Sequence, residues 1–389
     1  MLQSHMSFGA SFVYATGCRC GKHGILNNEK LKLGVLNSEW EFWHEAVKVR
    51  DIFDAVHGAG MTTGAVIWPV TLRHPSIDYL VNWPSTKEPY NEKLLLESGV
   101  SPDTIRTIFR PNRHFLTELN RSHPNLENFE FACAADIIRK YKPNLLMVHP
   151  ANIDAARHHT GVYSDAVTAE LYNIDLWLGW ILKAVREAGI EDDTDIFVVS
   201  DHGQINITRS IALNAVLAER GLIDVDADGN IVNYIAISKS SGASAQIFLK
   251  DKSSKADYDK TYAVLKQLLE DGIWGIGRVY TAEEAREEEG LYGEFSFVVD
   301  TDGYTSFHND WRRPFVRPAD NSDYKYGRGT HGHQPDLGPQ PTLLAFGPDI
   351  RPGVRIARRD IIDEAPTYAR ILGVEMPDAE GHAIEEILR

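Results

Sequence analysis

An aspartate and a histidine stand side by side where an apolar segment of the sequence ends. Segment 196–200 is mostly β-branched and is predicted to be a buried strand, and Asp201 and His202 follow it directly. Ligands of an open α/β sheet bind outside the carboxyl ends of its strands, so this pair is suitably placed for a site. A carboxylate oxygen beside an imidazole nitrogen suits zinc or a similar divalent ion. Taken alone, such a pair is more often a turn cap with a hydrogen-bonded histidine than a metal site.

Ligand-type residues of the same kind occur at two other places. Asp154 and His158 come after the predicted strand 144–149, and a spacing of four residues lets both reach one ion if the chain turns helically there. His331 lies in the glycine-rich segment 327–333. Each residue alone could serve a helix cap, a solvated face or a turn. Their joint occurrence predicts a metal centre.

The number of these ligands indicates the chemistry. Two aspartates and three histidines are too many for one tetrahedral zinc ion and nearly enough for two. Two ions roughly 4 Å apart stabilise the attacking and the leaving oxygen of an in-line displacement at phosphorus. The ligand set therefore favours phosphoryl transfer.

The charge of the chain restricts its partners. A net charge of -15 argues against a nucleic-acid polymer or an anionic membrane surface, but a small phosphorylated substrate is compatible because bound metal dominates the local field. The sequence contains no apolar run long enough to span a bilayer and no secretory signal at its start, so we expect a cytoplasmic protein. Its three cysteines cannot form a disulfide framework. Oligomeric state is left open.

Helical and strand-like periodicities alternate along the chain, which predicts an α/β fold with a mostly parallel sheet between helices. The character of the sequence changes after Gln204, where short strands and helices indicate an α+β lobe. Within it, Thr281-Ala-Glu-Glu284 is a capping box that predicts the start of a helix. We predict that 1–204 and 304–389 form the hydrolase core and that 205–303 form the inserted lobe.

Motifs spread along the chain resemble, in order and spacing, those of the alkaline phosphatase superfamily. They are Asp154-x-x-x-His158-x-x-Gly161, Ser200-Asp-His-Gly203, Gly329-Thr-His-Gly332 and Asp363-Glu-Ala-Pro-Thr367 with Leu372-Gly373. Three further segments are similar to the type I phosphodiesterase and nucleotide pyrophosphatase branch, namely Ala15-Thr-Gly17, Lys22-His-Gly-Ile25 and Val66-Ile-Trp-Pro69. The resemblance implies an alkaline-phosphatase-like fold and two zinc ions.

The resemblance also implies which residues hold the two ions. One zinc is expected on Asp154, His158 and His331, and the other on Asp201 and His202. Members of this family begin with a strand that ends in Asp-Gly, and its aspartate completes the second zinc site. No such strand is present, so the chain looks short at its N-terminus and the second site lacks a ligand.

The nucleophile and the phosphate-binding amide are carried over by position. Ser7 matches the family's Thr or Ser nucleophile, whose hydroxyl is activated by zinc and attacks phosphorus to give a covalent intermediate. Asn28 matches the family's phosphate-binding asparagine, with Asn27 as the competing match, and its amide can donate to a developing oxyanion. An unstructured terminal serine and an ordinary turn residue are the alternatives for Ser7 and Asn28.

Three other residues have weaker assignments. Trp68 could stack on a nucleotide base, although buried packing is the alternative. His333 is expected to have a substrate-side role or to orient a metal ligand. Lys325 could meet a substrate phosphate, but a solvated face is the default expectation for it.

The function predicted from these observations is metal-dependent hydrolysis of a phosphodiester or a nucleotide pyrophosphate. A phosphonoacetate-hydrolase-like or phosphomonoester activity is an alternative, because relatives with those activities share the metal motifs. The other alternative is a truncated or vestigial metal-binding relative without catalysis, which the unmatched Asp-Gly strand would favour.

Overall fold

The computed structural model describes residues 7–85, 91–116 and 122–389, with side chains in the first helix from Phe12 onward. The longer elements confirm the predicted α/β class. The described α-helices are α1 (Ser7–Thr16), α2 (Cys20–His23), α3 (Ile52–Gly58), α4 (Glu92–Glu97), α5 (Pro102–Thr104), α6 (Arg110–Asn112), α7 (Asn125–Tyr141), α8 (Asn152–Thr160), α9 (Asp165–Ala188), α10 (Leu213–Glu219), α11 (Lys255–Asp271), α12 (Ala282–Glu289) and α13 (Glu364–Leu372).

The described strands form several small sheets rather than one continuous one. They are β1 (Thr63–Val66), β2 (Tyr79–Val81), β3 (Leu145–Val148), β4 (Ile196–Val199), β5 (Ile205–Asn206), β6 (Arg209–Ala212), β7 (Ile223–Val225), β8 (Ile231–Tyr234), β9 (Ala236–Ser240), β10 (Ser244–Leu249), β11 (Ile276–Thr281), β12 (Phe297–Thr301), β13 (Thr305–His308), β14 (Val316–Pro318), β15 (Gly329–Thr330) and β16 (Leu343–Phe346).

The sheet β2-β1-β3 is parallel throughout, and β6 also pairs in parallel with β13. Gly64 lies opposite Tyr79 on one side and Leu146 on the other, and all pairings are parallel. Every residue of β1 is buried, because neighbouring strands and α7 cover it. The small and apolar residues Gly64, Ala65 and Val66 suit a strand that is covered on both faces.

The strand that precedes Asp201 is less buried than its composition suggests. β4 pairs antiparallel with β16, and within the described ranges it has no second strand neighbour. All four of its residues are only partly buried. The prediction of a strand at this place is confirmed, but the prediction that the strand is buried was wrong. One side of β4 has no paired strand within those ranges.

A second apolar core lies mainly among residues of the predicted lobe. The antiparallel sheet β11-β12-β10-β9 packs Phe297 and Val299 against Leu265 and Leu268 of α11. The capping box at the start of α12 is confirmed, with the Thr281 side chain accepting from the Glu284 N–H at 3.2 Å. The exact bounds of core and lobe stay a prediction.

None of the described helices combines the length and the apolar character needed to cross a membrane. The cytoplasmic location stays a prediction from sequence.

Candidate active site

Asp154 and His158 lie on the helix that follows a strand of the parallel sheet. β3 ends at Val148, and α8 begins at Asn152, so the chain does turn helically there. One turn of α8 places the two side chains on one face, where His158 Nε2 lies 3.2 Å from Asp154 Oδ1. The local spacing is thus enough to bring these two ligand atoms together.

The other ligand-type residues converge on the same carboxylate. His202 Nε2 lies 3.9 Å and His331 Nε2 4.0 Å from Asp154 Oδ1. Ligand atoms of Asp154, His202 and His331 all lie within 4.8 Å of one another. Asp201 Oδ2 is 3.6 Å from His202 Nε2, which extends the cluster toward β4. The fold therefore gathers all five predicted metal ligands.

Hydrogen bonds at the far side of two imidazoles show that the cluster fits a cation. His158 Nδ1 lies 2.7 Å from the Gly329 carbonyl, and His202 Nδ1 lies 3.1 Å from the Gly203 carbonyl. A carbonyl can only accept, so each Nδ1 carries a hydrogen and the Nε2 atom of each ring faces Asp154. A lone pair facing a carboxylate requires a proton or a metal ion between them. The same backbone support is usual for histidine ligands of metals.

The pKa values of the two aspartates in the cluster also favour a site for a cation. Burial raises the pKa of Asp154, but the attraction of His158, His331 and His202 outweighs this and holds it far below its ordinary value. Burial opposes ionisation of Asp201 too, yet His202 and His149 lower its pKa to about 2. Both carboxylates are therefore ionised at neutral pH.

The chain matches the family model of type I phosphodiesterases and nucleotide pyrophosphatases over residues 6–334. It belongs to this family. Human ectonucleotide pyrophosphatase/phosphodiesterase family member 5 is 21% identical over 380 residues, covering 93% of this chain and 64% of the relative. The chain thus spans less than two thirds of that relative's length.

Solved structures of similar proteins show the fold. The human family member 5 structure has a TM-score of 0.65 at 19% identity and covers 100% of this chain and 89% of its own. An inactive murine counterpart in complex with AMP has a TM-score of 0.63 at 18% identity, with the same coverages. Phosphonoacetate hydrolase from Sinorhizobium meliloti has a TM-score of 0.64 at 15% identity, covering 96% of this chain and 85% of its own. The predicted alkaline-phosphatase-like fold is confirmed.

In this phosphodiesterase-family chain, Tyr324 lies between Asn28 and the cluster of metal-ligand residues and contacts both. The Asn28 side chain is hydrogen-bonded to that of Tyr324. The Tyr324 ring stacks on His331, with centroids 5.5 Å apart, and meets His158 edge-on at 5.6 Å. Asn27, the competing match, instead donates to the Ser240 carbonyl at 3.1 Å. This arrangement favours Asn28 as the residue with a role in the site.

Ser7 is the first residue of α1, and its side chain lies outside the described part. The body of α1 is anchored beside the ligand segment, since the Tyr14 hydroxyl donates to the Ser200 carbonyl at 2.7 Å. The assignment of Ser7 as the nucleophile stays a prediction.

Trp68 and His333 are both buried, with 6% and 4% of their surface exposed. Trp68 packs edge-on against His149, with ring centroids 5.9 Å apart. A base can stack only on an accessible ring face, so this burial favours the packing alternative for Trp68. A side chain at Gly338 would meet His333 Nε2 at 2.4 Å, so this imidazole lies tightly beneath the chain that follows it. A role for either residue in substrate binding stays a prediction.

Sequence reasoning missed three residues that contact the ligand set. The Gln204 amide donates to Asp154 Oδ1, His149 Nε2 lies 3.5 Å from Asp201 Oδ2, and Tyr324 contacts two histidines. The strand-end rule could have found His149, and Gln204 directly follows Asp-His-Gly. Tyr324 carries no comparable signal.

A buried group of charged side chains connects three segments beside this site. Glu29 accepts from both Lys239 and Lys325, and Lys325 Nζ also lies 3.0 Å from Asp323 and 4.4 Å from the Tyr324 ring centre. The Lys325 side chain has no exposed surface, so the default expectation of a solvated face was wrong. The group joins the loop of Asn28, strand β9 and the segment before His331.

A buried carboxyl near α1 gives a pH-dependent prediction. Burial, with a smaller effect of Asp363, raises the pKa of Glu364 from 4.5 to about 8. Between these values the native protein holds a proton that the unfolded chain has lost, so its free energy of unfolding falls as pH rises. In Glu364→Gln this fall should shrink by up to about 1.4 kcal/mol per pH unit. Urea unfolding between pH 5 and 8 measures the slope, with exposed Glu375→Gln as the control. An unchanged slope in Glu364→Gln would contradict the assignment.

Proposed function

We propose that this chain hydrolyses small phosphodiesters or nucleotide pyrophosphates with two divalent ions, most naturally zinc. Asp154, His158 and His331 would hold one ion, and Asp201 and His202 the other. The observation that carries the proposal is the convergence of three imidazole Nε2 atoms within 4.0 Å of Asp154 Oδ1 in a member of this family. Imidazole and carboxylate ligands together suit zinc.

The roles of the chain's own residues follow from their chemistry. The Ser7 hydroxyl attacks phosphorus, the leaving-group oxygen departs, and water then hydrolyses the ester formed on Ser7. Bound divalent ions would stabilise the charge on the attacking and leaving oxygens. The Asn28 amide, positioned by Tyr324, would donate to a phosphoryl oxygen. Gln204 and His149 would hold the two carboxylates in place.

Metal content and substrate preference test the proposal together. We expect two zinc ions per chain by elemental mass spectrometry and turnover of bis(p-nitrophenyl) phosphate that a chelator abolishes. A nucleotide pyrophosphate belongs in the panel because the murine relative was solved with AMP. Phosphonoacetate and p-nitrophenyl phosphate test the alternative activities. Turnover of either one without the diester would overturn the proposed substrate class, and absence of bound metal would overturn the mechanism.

The nucleophile assignment predicts a defined loss. Ser7→Ala should prevent formation of a covalent phosphoryl or nucleotidyl adduct and should lower diester turnover by about a thousandfold or more, because the attacking oxygen is absent. Rapid quenching followed by intact-protein mass spectrometry detects the adduct. Ser11→Ala, on the same helix, is the matched control. An adduct of undiminished amount in Ser7→Ala would show that another residue attacks.

A further inference from the structure

A second cluster of metal-ligand type lies outside the candidate active site. Ligand atoms of His44, Asp51, Asp54 and His74 all lie within 4.8 Å of one another. The cluster shares no residue with the ligands gathered around Asp154. Asp51 and His74 are buried, whereas 16% of the His44 side chain is exposed, which leaves a way in from solvent.

Backbone contacts bring three separate segments to this place. The His44 N–H donates to the Leu72 carbonyl at 3.0 Å, which aligns the segment of His44 with that of His74. Asp51 caps α3, where its side chain accepts from the Asp54 N–H and its own N–H donates to the Asp54 carboxylate. Both carboxylates are thereby held in fixed positions beside the two imidazoles.

The hydrogen bonds of His74 define its part in the cluster. Its Nδ1 accepts from the Ser76 N–H at 3.0 Å, so its Nε2 carries the hydrogen and donates to Asp51 Oδ2 at 2.9 Å. His74 thus has no ring lone pair to offer and instead orients Asp51. The Ser76 hydroxyl orients Asp54 in the same way, donating to Oδ1 at 2.6 Å.

In this cluster, His44 has a ring nitrogen that makes no hydrogen bond to the described residues. Its Nδ1 is buried and has no hydrogen-bond partner among the described residues. It lies 4.0 Å from Asp51 Oδ2, which is too far for a hydrogen bond. Two ligands of one tetrahedral ion at bond lengths of about 2.1 Å are about 3.4 Å apart, so a small movement would let both bind it.

We propose that His44, Asp51 and Asp54 bind a divalent transition-metal ion of the zinc class, with His74 and Ser76 orienting the two carboxylates. One imidazole and two carboxylates suit such an ion better than a soft or monovalent one, and water would complete the coordination. Each carboxylate oxygen still has a lone pair, because the bonds described above use one on each.

The surrounding backbone gives this ion a structural role. Ile67, Val70 and Arg73 all have positive φ, at 52°, 55° and 59°, which is strained for side chains of this kind. Such a loop persists only where its surroundings fix it. His74 ends this strained stretch, and its bond to Asp51 connects it to α3. An ion on Asp51 would clamp the loop that carries Trp68 between the segment of His44 and α3.

Zinc binding to the full-length chain tests the proposal. We expect His44→Ala and the nearly isosteric Asp54→Asn each to lower the zinc content by one ion per chain, or to weaken that ion's affinity at least about tenfold. When the zinc concentration is a hundred times the dissociation constant, zinc binding at this site should raise the melting temperature by about 3 °C. Both variants should lose this increase of about 3 °C. His57→Ala, which removes a half-exposed histidine of α3, should change neither.

The outcome does not depend on the proposed function, because the quantity measured is the difference of one ion between variant and wild type. Diester turnover in Asp54→Asn, if the wild type has it, should be kept. Equal zinc content and equal thermal shifts in wild type, His44→Ala and Asp54→Asn would overturn the proposal. Because Asp54→Asn keeps the size of the side chain, it separates loss of the ion from loss of the fold, which far-ultraviolet circular dichroism checks.

Discussion

Asp154→Ala is expected to lower hydrolysis of bis(p-nitrophenyl) phosphate by about a thousandfold or more. The carboxylate lies within 4.0 Å of the Nε2 atoms of His158, His202 and His331, so its removal takes away an anion that all three imidazoles face. Several kcal/mol of transition-state stabilisation by bound metal would be lost, and each 1.4 kcal/mol is a factor of ten in rate. Steady-state kinetics with added zinc and the zinc content of the purified variant measure the effect.

The control is Asp192→Ala, which removes an exposed aspartate from the turn before β4 and should leave turnover unchanged. Asp201→Ala is the companion variant and should also abolish turnover while leaving one ion bound. If Asp154→Ala keeps both its zinc and its activity while remaining folded, the two-metal assignment is wrong.

Lys325→Met is expected to lower the free energy of unfolding by about 3 to 5 kcal/mol. The ammonium group is fully buried and pairs with Glu29 and Asp323, so its loss leaves excess negative charge where water has little access. Methionine keeps a similar length and apolar stem, which limits the change to the charge. Urea unfolding followed by circular dichroism measures the difference.

A double-mutant cycle with Glu29→Gln separates this charge effect from packing. The double variant should recover part of the loss, because the excess negative charge is then gone. The recovery should be partial, since Lys239 loses its partner Glu29 in that variant. Lys183→Met, at an exposed position of α9, should change stability by less than about 0.5 kcal/mol. A loss in Lys325→Met no larger than that in Lys183→Met would show that the buried ion group does not stabilise the fold.

The buried ion group matters for the site because of what it touches. Lys325 lies against the ring of Tyr324, and that ring contacts two of the candidate ligands and the side chain of Asn28. We therefore expect Lys325→Met to impair turnover beyond what its lower stability explains, which assays well below the melting temperature would show.

Sequence alone determined the features that depend on neighbours along the chain. The spacing of Asp154 and His158 puts both on one face of α8, and the pair Asp201 and His202 stands at a strand end whatever that strand pairs with. The capping box of α12 is equally local. The order of the motifs identified the family without any knowledge of contacts.

Only the tertiary structure decided the features that depend on residues far apart. His331 joins Asp154, and Asn28 rather than Asn27 turns toward Tyr324, because strands and loops from distant parts of the chain meet there. The partial exposure of β4 depends on which strands pair beside it. Lys325 could not be recognised as buried, because a lysine is buried only where opposite charges compensate it, and Glu29 lies almost three hundred residues away. Hydrophobic periodicity and helix caps depend on residues that are close together in the sequence. The pairing of buried charges depends on distant residues and is fixed only when the chain has folded.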